Sequence, residues 1–355
     1  MPGFEEGEPL TTLRYHGRRA AAIENADLRV TVLEEGGHIA EIFDKAANVN
    51  PLWTPPWPTI EPSQYGPGDA AMYGTGTDAR LLAGIMGHNL CLDIFGPPTD
   101  EEAKAGLAAH GEGPVAQYDL RARGDALTAR AHLPIAGFDF ERRLLLRERT
   151  LNIRETLVNR SSDDRPIGWT QHVTLGPPFL ERGTTQFRAS ATESKVFELP
   201  FGTDDYLAPG AEFSWPMAPS SSGRPVDLRM FTDKQQSSAY TAHLMNRSTP
   251  AFFIAFSPSF ELALAYVWKA SDFPWMGIWE ENHSRTNPPW NGRTMTRGME
   301  FGVSPMPEAR DAMVRRQHLF GVPAFRRIAA GQSITVEYRA VLWPARAIPE
   351  SVAQP

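Results

Sequence analysis

The chain of 355 residues is poor in cysteine, has no run of basic residues and contains no apolar stretch of membrane-spanning length. Its single cysteine, Cys91, excludes an intramolecular disulfide, is typical of a reducing compartment and is expected to be a small buried apolar residue. The formal net charge of -7, without a basic run, argues against a nucleic-acid partner. Because the N-terminus is acidic where a secretory signal would be basic and then apolar, we expect a cytoplasmic protein with no membrane partner.

The sequence also lacks the short motifs that mark several classes of enzyme. It has no His-Glu-x-x-His zinc pair, no Gly-x-Ser-x-Gly elbow, no P-loop and no dinucleotide-binding fingerprint. Glu280, Glu281 and His283 are a candidate set of metal ligands, but strand alternation would place the two glutamates on opposite faces. We therefore predict no metal site and no cofactor.

Helical signals are confined to two short segments, residues 78–86 and 100–109. In the second segment Asp100 is the predicted N-cap, and the pair His110-Gly111 stands where a helix would end. The negative end of a helix dipole at this point would favour the protonated form of His110.

Strand patterns dominate the rest of the chain. Residues 28–32 alternate between apolar and polar, and the Gly36-Gly37 turn leads into a second strand, so a hairpin is predicted. Further strands are predicted at 115–123, 126–133, 138–146, 151–158, 167–175, 252–256, 261–268 and 334–343. Since no repeat or linker separates two cores, we predict one all-β domain over residues 1–355, a large antiparallel β-sandwich with loose tails at 1–12 and 344–355.

Residues 50–75 are rich in proline, glycine and aromatic residues, which blocks regular structure. A loop of this length inside a compact domain usually has a function. We therefore predict that residues 51–67, with Trp53, Trp57 and Tyr65, close one side of a binding pocket.

The segment from Trp275 to Phe301 combines aromatic rings, carboxylates, an amide and an imidazole. Sugars need such a mixture, because their C–H faces pack on indole rings while their hydroxyls need paired donors and acceptors. Its glycines and prolines favour loops and strand ends around a pocket, lined by Trp275, Trp279, Glu281 and Asn282. The alternative is a loop of half-buried tryptophans whose acids face solvent.

Two residues are candidates for acid–base chemistry. His172 lies on one face of a predicted strand with Thr170 and Thr174, opposite Val173 and other apolar residues. Glu300 has apolar neighbours on both sides, and desolvation there would raise the pKa of its carboxyl group and make it a usable base. A histidine that is only solvated or hydrogen-bonded is the alternative for His172.

Several short motifs occur in a characteristic order: the turn at 36–42, His110-Gly111, Leu157-Val-Asn159, Trp169-Thr-Gln-His172, Met299-Glu300 and the region 323–338. In these features the chain resembles the galactose mutarotase-like (aldose 1-epimerase) superfamily. The resemblance implies a β-supersandwich fold, His172 as acid, Glu300 as base and His110 as a second histidine of the site. The arginine-containing stretch that this family has after its first hairpin is missing, and the loop 51–67 stands in its place.

The leading hypothesis is a cofactor-free isomerase of the aldose 1-epimerase type that acts on a free or modified sugar. Glu300 and His172 would be catalytic, and the predicted substrate-binding residues are His88, His110, Trp275, Trp279, Glu281 and Asn282. The alternative is a non-catalytic carbohydrate-binding or regulatory protein on the same fold. A lyase or hydrolase is a third hypothesis. The expected partner is a small carbohydrate, and the chain is expected to be a monomer or homodimer.

Overall fold

The structure is a computed structural model that describes residues 13–248 and 250–352. Residues 1–12 and 353–355, both assigned to the predicted loose tails, lie outside the described residues. The α-helices are α1 (Ala70–Tyr73), α2 (Ala79–Gly84), α3 (Asp100–Lys104) and α4 (Arg310–Arg316), and 3-10 helices cover Pro62–Gln64, Pro67–Asp69, Gly113–Val115 and Pro258–Phe260. None of the helices in the described ranges is both long and apolar enough to cross a membrane.

Strands make up most of the regular structure. The first twelve are β1 (Leu13–Tyr15), β2 (Arg18–Glu24), β3 (Leu28–Leu33), β4 (Ile39–Asp44), β5 (His88–Asp93), β6 (Asp119–Arg123), β7 (Ala126–Leu133), β8 (Phe138–Arg147), β9 (Thr150–Asn159), β10 (Arg165–Leu175), β11 (Gln186–Ala189) and β12 (Ala191–Val196). The others are β13 (Glu212–Ser214), β14 (Met217–Pro219), β15 (Pro225–Asp227), β16 (Ser237–Met245), β17 (Ala251–Ser257), β18 (Leu262–Trp268), β19 (Trp275–Asn282), β20 (Met295–Gly302), β21 (His318–Leu319), β22 (Val322–Pro323), β23 (Arg326–Ile328) and β24 (Ser333–Pro344).

Two large sheets form a sandwich. The larger, of twelve strands, has the order β1-β2-β3-β4-β5-β10-β20-β19-β16-β12-β13, with β23 paired to β10. The smaller, of eight strands, has the order β11-β17-β18-β24-β9-β8-β7-β6. Each of these neighbouring strand pairs is antiparallel, including the predicted β3–β4 hairpin. The predicted antiparallel β-sandwich is confirmed.

The smaller sheet has one buried face and one face toward solvent, as its alternation predicted. On β9, Leu151, Ile153 and Leu157 are buried in the sandwich, whereas Asn152 and Arg154 are exposed. Alternation of this kind made β7, β8 and β9 readable from the sequence.

The central strands of the larger sheet are buried on both faces. One face packs on the smaller sheet, and the other is covered by loops that contribute a second apolar cluster around Trp53, Trp57 and Trp290. Every residue of β5, β16 and β19 is buried. The prediction of loops and strand ends for the segment after Trp275 is therefore wrong for residues 275–282, which form a central strand. A strand without a wet face has no polar–apolar alternation to reveal it.

The predicted helix at 100–109 is shorter than expected. Helix α3 ends at Lys104, and its N-cap is Thr99 rather than Asp100, because the Thr99 hydroxyl accepts the Glu102 N–H in a capping box. The strand expected from residue 115 begins at Asp119, since residues 113–115 form a 3-10 helix.

The described part of the predicted C-terminal tail is packed rather than loose. The Ala345 N–H donates to the Glu261 carbonyl at 2.7 Å. Ala345, Ile348 and Val352 pack on an apolar cluster of β17 and β18 that includes Ile254 and Phe256. These residues cover an apolar patch on the outer face of the smaller sheet, and the burial of this patch stabilises their packing.

A polar network is buried between the two sheets. Glu155 accepts from Arg142 Nε at 2.7 Å, from Gln171 Nε2 at 2.6 Å and from the Tyr338 hydroxyl at 2.7 Å. The same hydroxyl oxygen lies 2.8 Å from Gln171 Oε1. Arg142 and Glu155 have side chains that are 1% and 0% exposed, so the ion pair has no access to water.

We predict that Glu155→Gln lowers the free energy of unfolding by about 3–5 kcal/mol, because it leaves the buried Arg142 guanidinium without its counter-charge. Urea denaturation would measure this. The control is Glu337→Gln, which breaks an exposed contact of 3.7 Å with Arg154 on the same sheet and should cost about 0–1 kcal/mol. Equal losses in the two variants would contradict the prediction.

Candidate functional site

The candidate site lies on the face of the larger sheet that points away from the sandwich interior. His172 on β10 and Glu300 on β20 are direct register partners on neighbouring antiparallel strands. His172 Nε2 lies 3.0 Å from Glu300 Oε1, and the two side chains are 5% and 2% exposed. As predicted, His172 shares its face with Thr174, whose hydroxyl lies 2.9 Å from His172 Nδ1. The two side chains meet directly because they are long and belong to register partners.

Burial controls the protonation of this pair. Desolvation raises the pKa of Glu300 to about 8 and lowers the pKa of His172 well below its usual value, with a smaller contribution from His110. Both shifts favour the neutral forms at pH 7. The 3.0 Å contact is not an aligned hydrogen bond, since Glu300 Oε1 has no hydrogen-bond partner among the described residues.

His110 lies beside the pair, as the resemblance implied. Its ring centroid is 5.2 Å from that of His172. Its backbone is fixed along β5 by two hydrogen bonds, from Leu92 N to the His110 carbonyl at 3.1 Å and from His110 N to the Gly96 carbonyl at 3.1 Å. Burial, and secondarily Arg285, lowers the pKa of His110 to about 4. The expected protonated form is therefore wrong: α3 ends well before His110, and desolvation dominates.

Gly111 is required for this placement of His110. It adopts a φ of +87°, and a Cβ at this position would lie 1.8 Å from the Leu92 carbonyl oxygen. A side chain here would push the loop off β5 and move His110 away from His172. The His110-Gly111 pair therefore reflects a backbone contact and not a helix end.

Two residues of β5 belong to the site and were not predicted as part of it. Cys91 Sγ lies 3.0 Å from His110 Nδ1, so the cysteine expected to be only a small apolar residue has a polar contact. Asn89 is the register partner of His172, it is fully buried, and its Nδ2 has no hydrogen-bond partner among the described residues. Both follow from the register of β5 on β10, which the sequence did not reveal.

Glycines leave space around the Glu300 carboxyl group. Gly298 and Gly277 lie in register with Trp279 and Glu300, respectively. A Cβ at Gly298 would lie 2.3 Å from Glu300 Oε1, and one at Gly277 would lie 2.2 Å from the Tyr240 hydroxyl. Side chains at these positions are therefore incompatible with the observed site.

An aromatic wall stands over the pair. Trp279 contacts His172 edge to face at 5.6 Å between ring centroids and Trp290 at 5.9 Å. Trp290 also packs on Trp57 at 5.1 Å and, in a stacked geometry, on Trp53 at 6.4 Å. The backbone N–H of Trp53 donates to the backbone carbonyl of Thr174 at 2.8 Å, and Thr174 is two residues from His172. The loop 51–67 thus lies where we expected it; its role in closing a pocket stays a prediction.

Arg285 completes this wall and was not predicted. Its guanidinium lies 5.0 Å from the Trp290 ring centroid, 5.7 Å from that of Trp279 and 5.3 Å from that of Phe201. Glu281 lies on the site face, as expected. Its Oε2 is 3.5 Å from Arg285 Nε, and its Oε1 accepts the backbone N–H of Arg285 at 2.9 Å. Burial raises the pKa of Glu281 and lowers that of Arg285. No periodic pattern predicts the position of Arg285, because this residue follows β19 in an irregular loop.

Three predicted substrate-binding residues do not reach the pair. Asn282 points to the opposite face of β19, where its Nδ2 donates to the Lys234 carbonyl at 2.9 Å. His88 points into the sandwich, where its Nε2 lies 3.0 Å from Gln171 Oε1, and it belongs to the buried network. Trp275 is on the site face, but it lies four residues before Trp279 on β19. Its indole N–H donates to the Pro323 carbonyl at 2.9 Å. The period of two that separates strand faces explains the first two errors.

The same period separates Glu280 from Glu281, as predicted. Glu280 faces the sandwich and pairs with Arg297 at 3.0 Å. Within residues 13–248 and 250–352, no three His, Cys, Asp or Glu side chains are grouped as metal ligands.

Comparisons with known proteins support the fold. No protein-family model matches the sequence, and no curated protein matches it. Among solved structures, a proposed aldose 1-epimerase from Klebsiella pneumoniae matches with a TM-score of 0.63 at 12% identity, over 93% of this chain and 80% of that one. Slr1438 from Synechocystis matches with a TM-score of 0.61 at 12% identity, over 97% and 100%. A galactose mutarotase-like protein from Clostridium acetobutylicum matches with a TM-score of 0.59 at 13% identity, over 94% and 98%.

At this level of identity, the comparisons show the fold alone. The chain has the galactose mutarotase-like β-sandwich, which confirms the fold that the sequence resemblance implied.

We predict that Gly111→Ala destabilises the protein by several kcal/mol more than Gly124→Ala. Both glycines have a positive φ, but only the first would place a Cβ on a carbonyl oxygen, while Gly124 has nothing within 4 Å. In the control Gly124→Ala, the free energy of unfolding should fall by only about 1–2 kcal/mol, the cost of a left-handed conformation for alanine. Thermal unfolding followed by circular dichroism would measure both, and similar midpoints would show that the Leu92 contact relaxes easily.

Proposed function

We propose that the protein is an isomerase of the aldose 1-epimerase type, which interconverts the anomers of an aldose. The observation that carries this proposal is the buried His172–Glu300 pair, held in register on two strands beneath an aromatic wall. An acid and a base within reach of one hemiacetal are sufficient for ring opening, and each typically contributes ~10²–10⁴-fold. The fold of the matching solved structures agrees with this assignment.

The reaction needs one proton on the pair. In the neutral pair the proton is on the Glu300 carboxyl group. Its transfer to His172 requires the two groups, 3.0 Å apart, to align, and gives a Glu300 carboxylate and a His172 imidazolium. Glu300 then takes the proton of the anomeric hydroxyl while His172 gives its proton to the ring oxygen, and the bond between the anomeric carbon and the ring oxygen breaks. Rotation of the free aldehyde and the reverse transfers yield the other anomer.

Unpartnered polar atoms on this face suit a sugar. Asn89 Nδ2, Thr170 Oγ1, Trp279 Nε1 and Glu300 Oε1 are buried without hydrogen-bond partners among the described residues. They come from four adjacent strands of one sheet face. A buried donor or acceptor without a partner costs about 1–3 kcal/mol, which hydroxyl groups of a ligand would offset, while the indole of Trp279 matches the apolar face of a sugar ring.

We predict that Glu300→Gln and His172→Asn each lower the rate of anomer exchange by at least ~10²-fold, because each removes one of the two proton-transfer groups. The double variant should be little slower than either single one, since a relay with one end missing gains little from the other. Polarimetry or exchange NMR, over a panel of free and phosphorylated aldoses, would measure the rates.

The matched controls are Glu193→Gln and His132→Asn, which make the same changes at exposed strand positions and should leave the rate unchanged. Native exchange in Glu300→Gln would assign Glu300 a structural role, with Glu281 as the next candidate for the base. Binding of a sugar without exchange in the native protein would favour the alternative, a non-catalytic carbohydrate-binding protein, to which the aromatic wall with Arg285 is also suited.

We predict a bell-shaped dependence of the rate on pH that is displaced from that of isolated groups. The active pair carries one proton. The rate should fall above about pH 8, where Glu300 loses this proton. On the acid side the rate should fall only well below pH 6.5, where His172 takes up a second proton. Unperturbed groups, with pKa values of about 4.3 and 6.5, would instead lose activity above about pH 6.5. A rate at pH 7.5 far below the rate at pH 6 would contradict the prediction.

A further inference from the structure

We infer that Cys91 is a positioning residue of this site, whose thiol donates its hydrogen to His110 Nδ1 and thereby holds His110 as the neutral tautomer with hydrogen on Nε2. The Nε2–H group then serves as a hydrogen-bond donor to an oxygen of the substrate. This role rests on the proposed function for its catalytic consequence, but the tautomer itself is a property of the unliganded protein.

Backbone interactions hold Cys91 and His110 in contact. Cys91 is fully buried on β5, and its Sγ lies 3.0 Å from His110 Nδ1. His110 cannot drift from β5, because its carbonyl accepts the Leu92 N–H at 3.1 Å and Gly111 allows the close approach. The other acceptor near the thiol, Asn89 Oδ1, is farther away at 3.9 Å.

The direction of the hydrogen bond follows from the chemistry of its partners. Burial, and secondarily Glu300, keeps the pKa of Cys91 well above its usual value, so the sulfur retains its hydrogen. Burial also keeps His110 neutral. A neutral imidazole has one N–H and one lone pair, and a thiol sulfur is a weak acceptor. The arrangement that uses the stronger acceptor places the lone pair on Nδ1 and the hydrogen on Nε2.

The Nε2 atom of His110 is the ring nitrogen that remains available to a ligand. It has no hydrogen-bond partner among the described residues, and His110 is half-buried rather than sealed. Its ring lies 5.2 Å from that of His172. A donor at this point meets a sugar oxygen with a hydrogen bond, whereas the other tautomer would present a lone pair to it.

The variants Cys91→Ser and Cys91→Ala are a matched pair for the test. They have similar volume, but only serine keeps a donor for Nδ1. The imidazole ¹⁵N resonances of His110, identified by their loss in His110→Asn, report the tautomer directly. In the native protein and in Cys91→Ser we expect an unprotonated Nδ1 and a protonated Nε2. In Cys91→Ala the two resonances should move toward each other, as both tautomers become populated.

The kinetic readout is kcat/KM for anomer exchange. Cys91→Ala should lower it by about twofold to tenfold relative to Cys91→Ser, the value of one neutral hydrogen bond. In a His110→Asn background the two variants should be equal, since Cys91 then has nothing to orient.

A protonated Nδ1 of His110 in the native protein would overturn the inference without any change at Cys91. Identical spectra and rates for Cys91→Ser and Cys91→Ala would overturn it as well. If no aldose is exchanged by the native protein but the tautomer is as expected, the proposed function fails and the positioning by Cys91 stands.

Discussion

Residues 167–175 of β10 are buried on both faces of the larger sheet, and the polar groups around them depend on this constraint. Each polar side chain on such a strand needs a partner inside the protein, or it destabilises the fold. Gln171 meets this requirement on the sandwich side, through Glu155 and Tyr338. His172 points the other way, toward Glu300 and Thr174. Two adjacent residues of one strand thus serve two polar systems that lie back to back.

The two systems differ in how their charges are balanced. Between the sheets, Arg142 and Glu155 form an ion pair with further hydrogen bonds, so the carboxylate is stabilised in place. On the site face, no Lys or Arg of the described residues forms an ion pair with Glu300, and burial raises its pKa to about 8. The same residue type therefore forms an ion pair with arginine on one face, while on the other it has a pKa near neutral pH. Only the second arrangement suits proton transfer.

The sequence predicted the strands with a wet face most precisely. Among the strands with almost no exposed residues, it predicted β10, β17 and β18 but missed β5, β16 and β19. Strands β7, β8 and β9 have a wet face and were found within a residue or so of their ends. Strands β5 and β19 are buried throughout and were not recognised, so Asn89 and Cys91 were missing from the predicted site. Face assignments by alternation were correct for His172, which lies on a predicted strand, and for the split of Glu280 from Glu281, which requires only an extended backbone.

The errors in the predicted site have a common cause. His88 and Asn282 were predicted to bind substrate, yet each is one residue from a site-facing neighbour on its strand and therefore points to the opposite face of the sheet. The contact distance of His172 and Glu300 could not be predicted, since it depends on which residues of β10 and β20 are in register. Arg285 was missed because a loop residue has no periodicity, and its position over Trp290 depends on tertiary packing.

The buried network around Glu155 and the site face around Glu300 differ in how many of their polar atoms have partners. In the interior network Glu155, Gln171 and Tyr338 all have protein partners, and none of their atoms is an orphan. On the site face, Asn89, Trp279 and Glu300 each retain a buried polar atom without one. Thr170 Oγ1 is a fourth buried atom without a partner among the described residues, so that such atoms lie together on four adjacent strands of this face. A ligand that completes them would offset the cost of each, which supports the proposed function. The galactose mutarotase-like fold supplies the strands, but these atoms, and not the fold, carry the argument for a polar, hydroxyl-rich ligand.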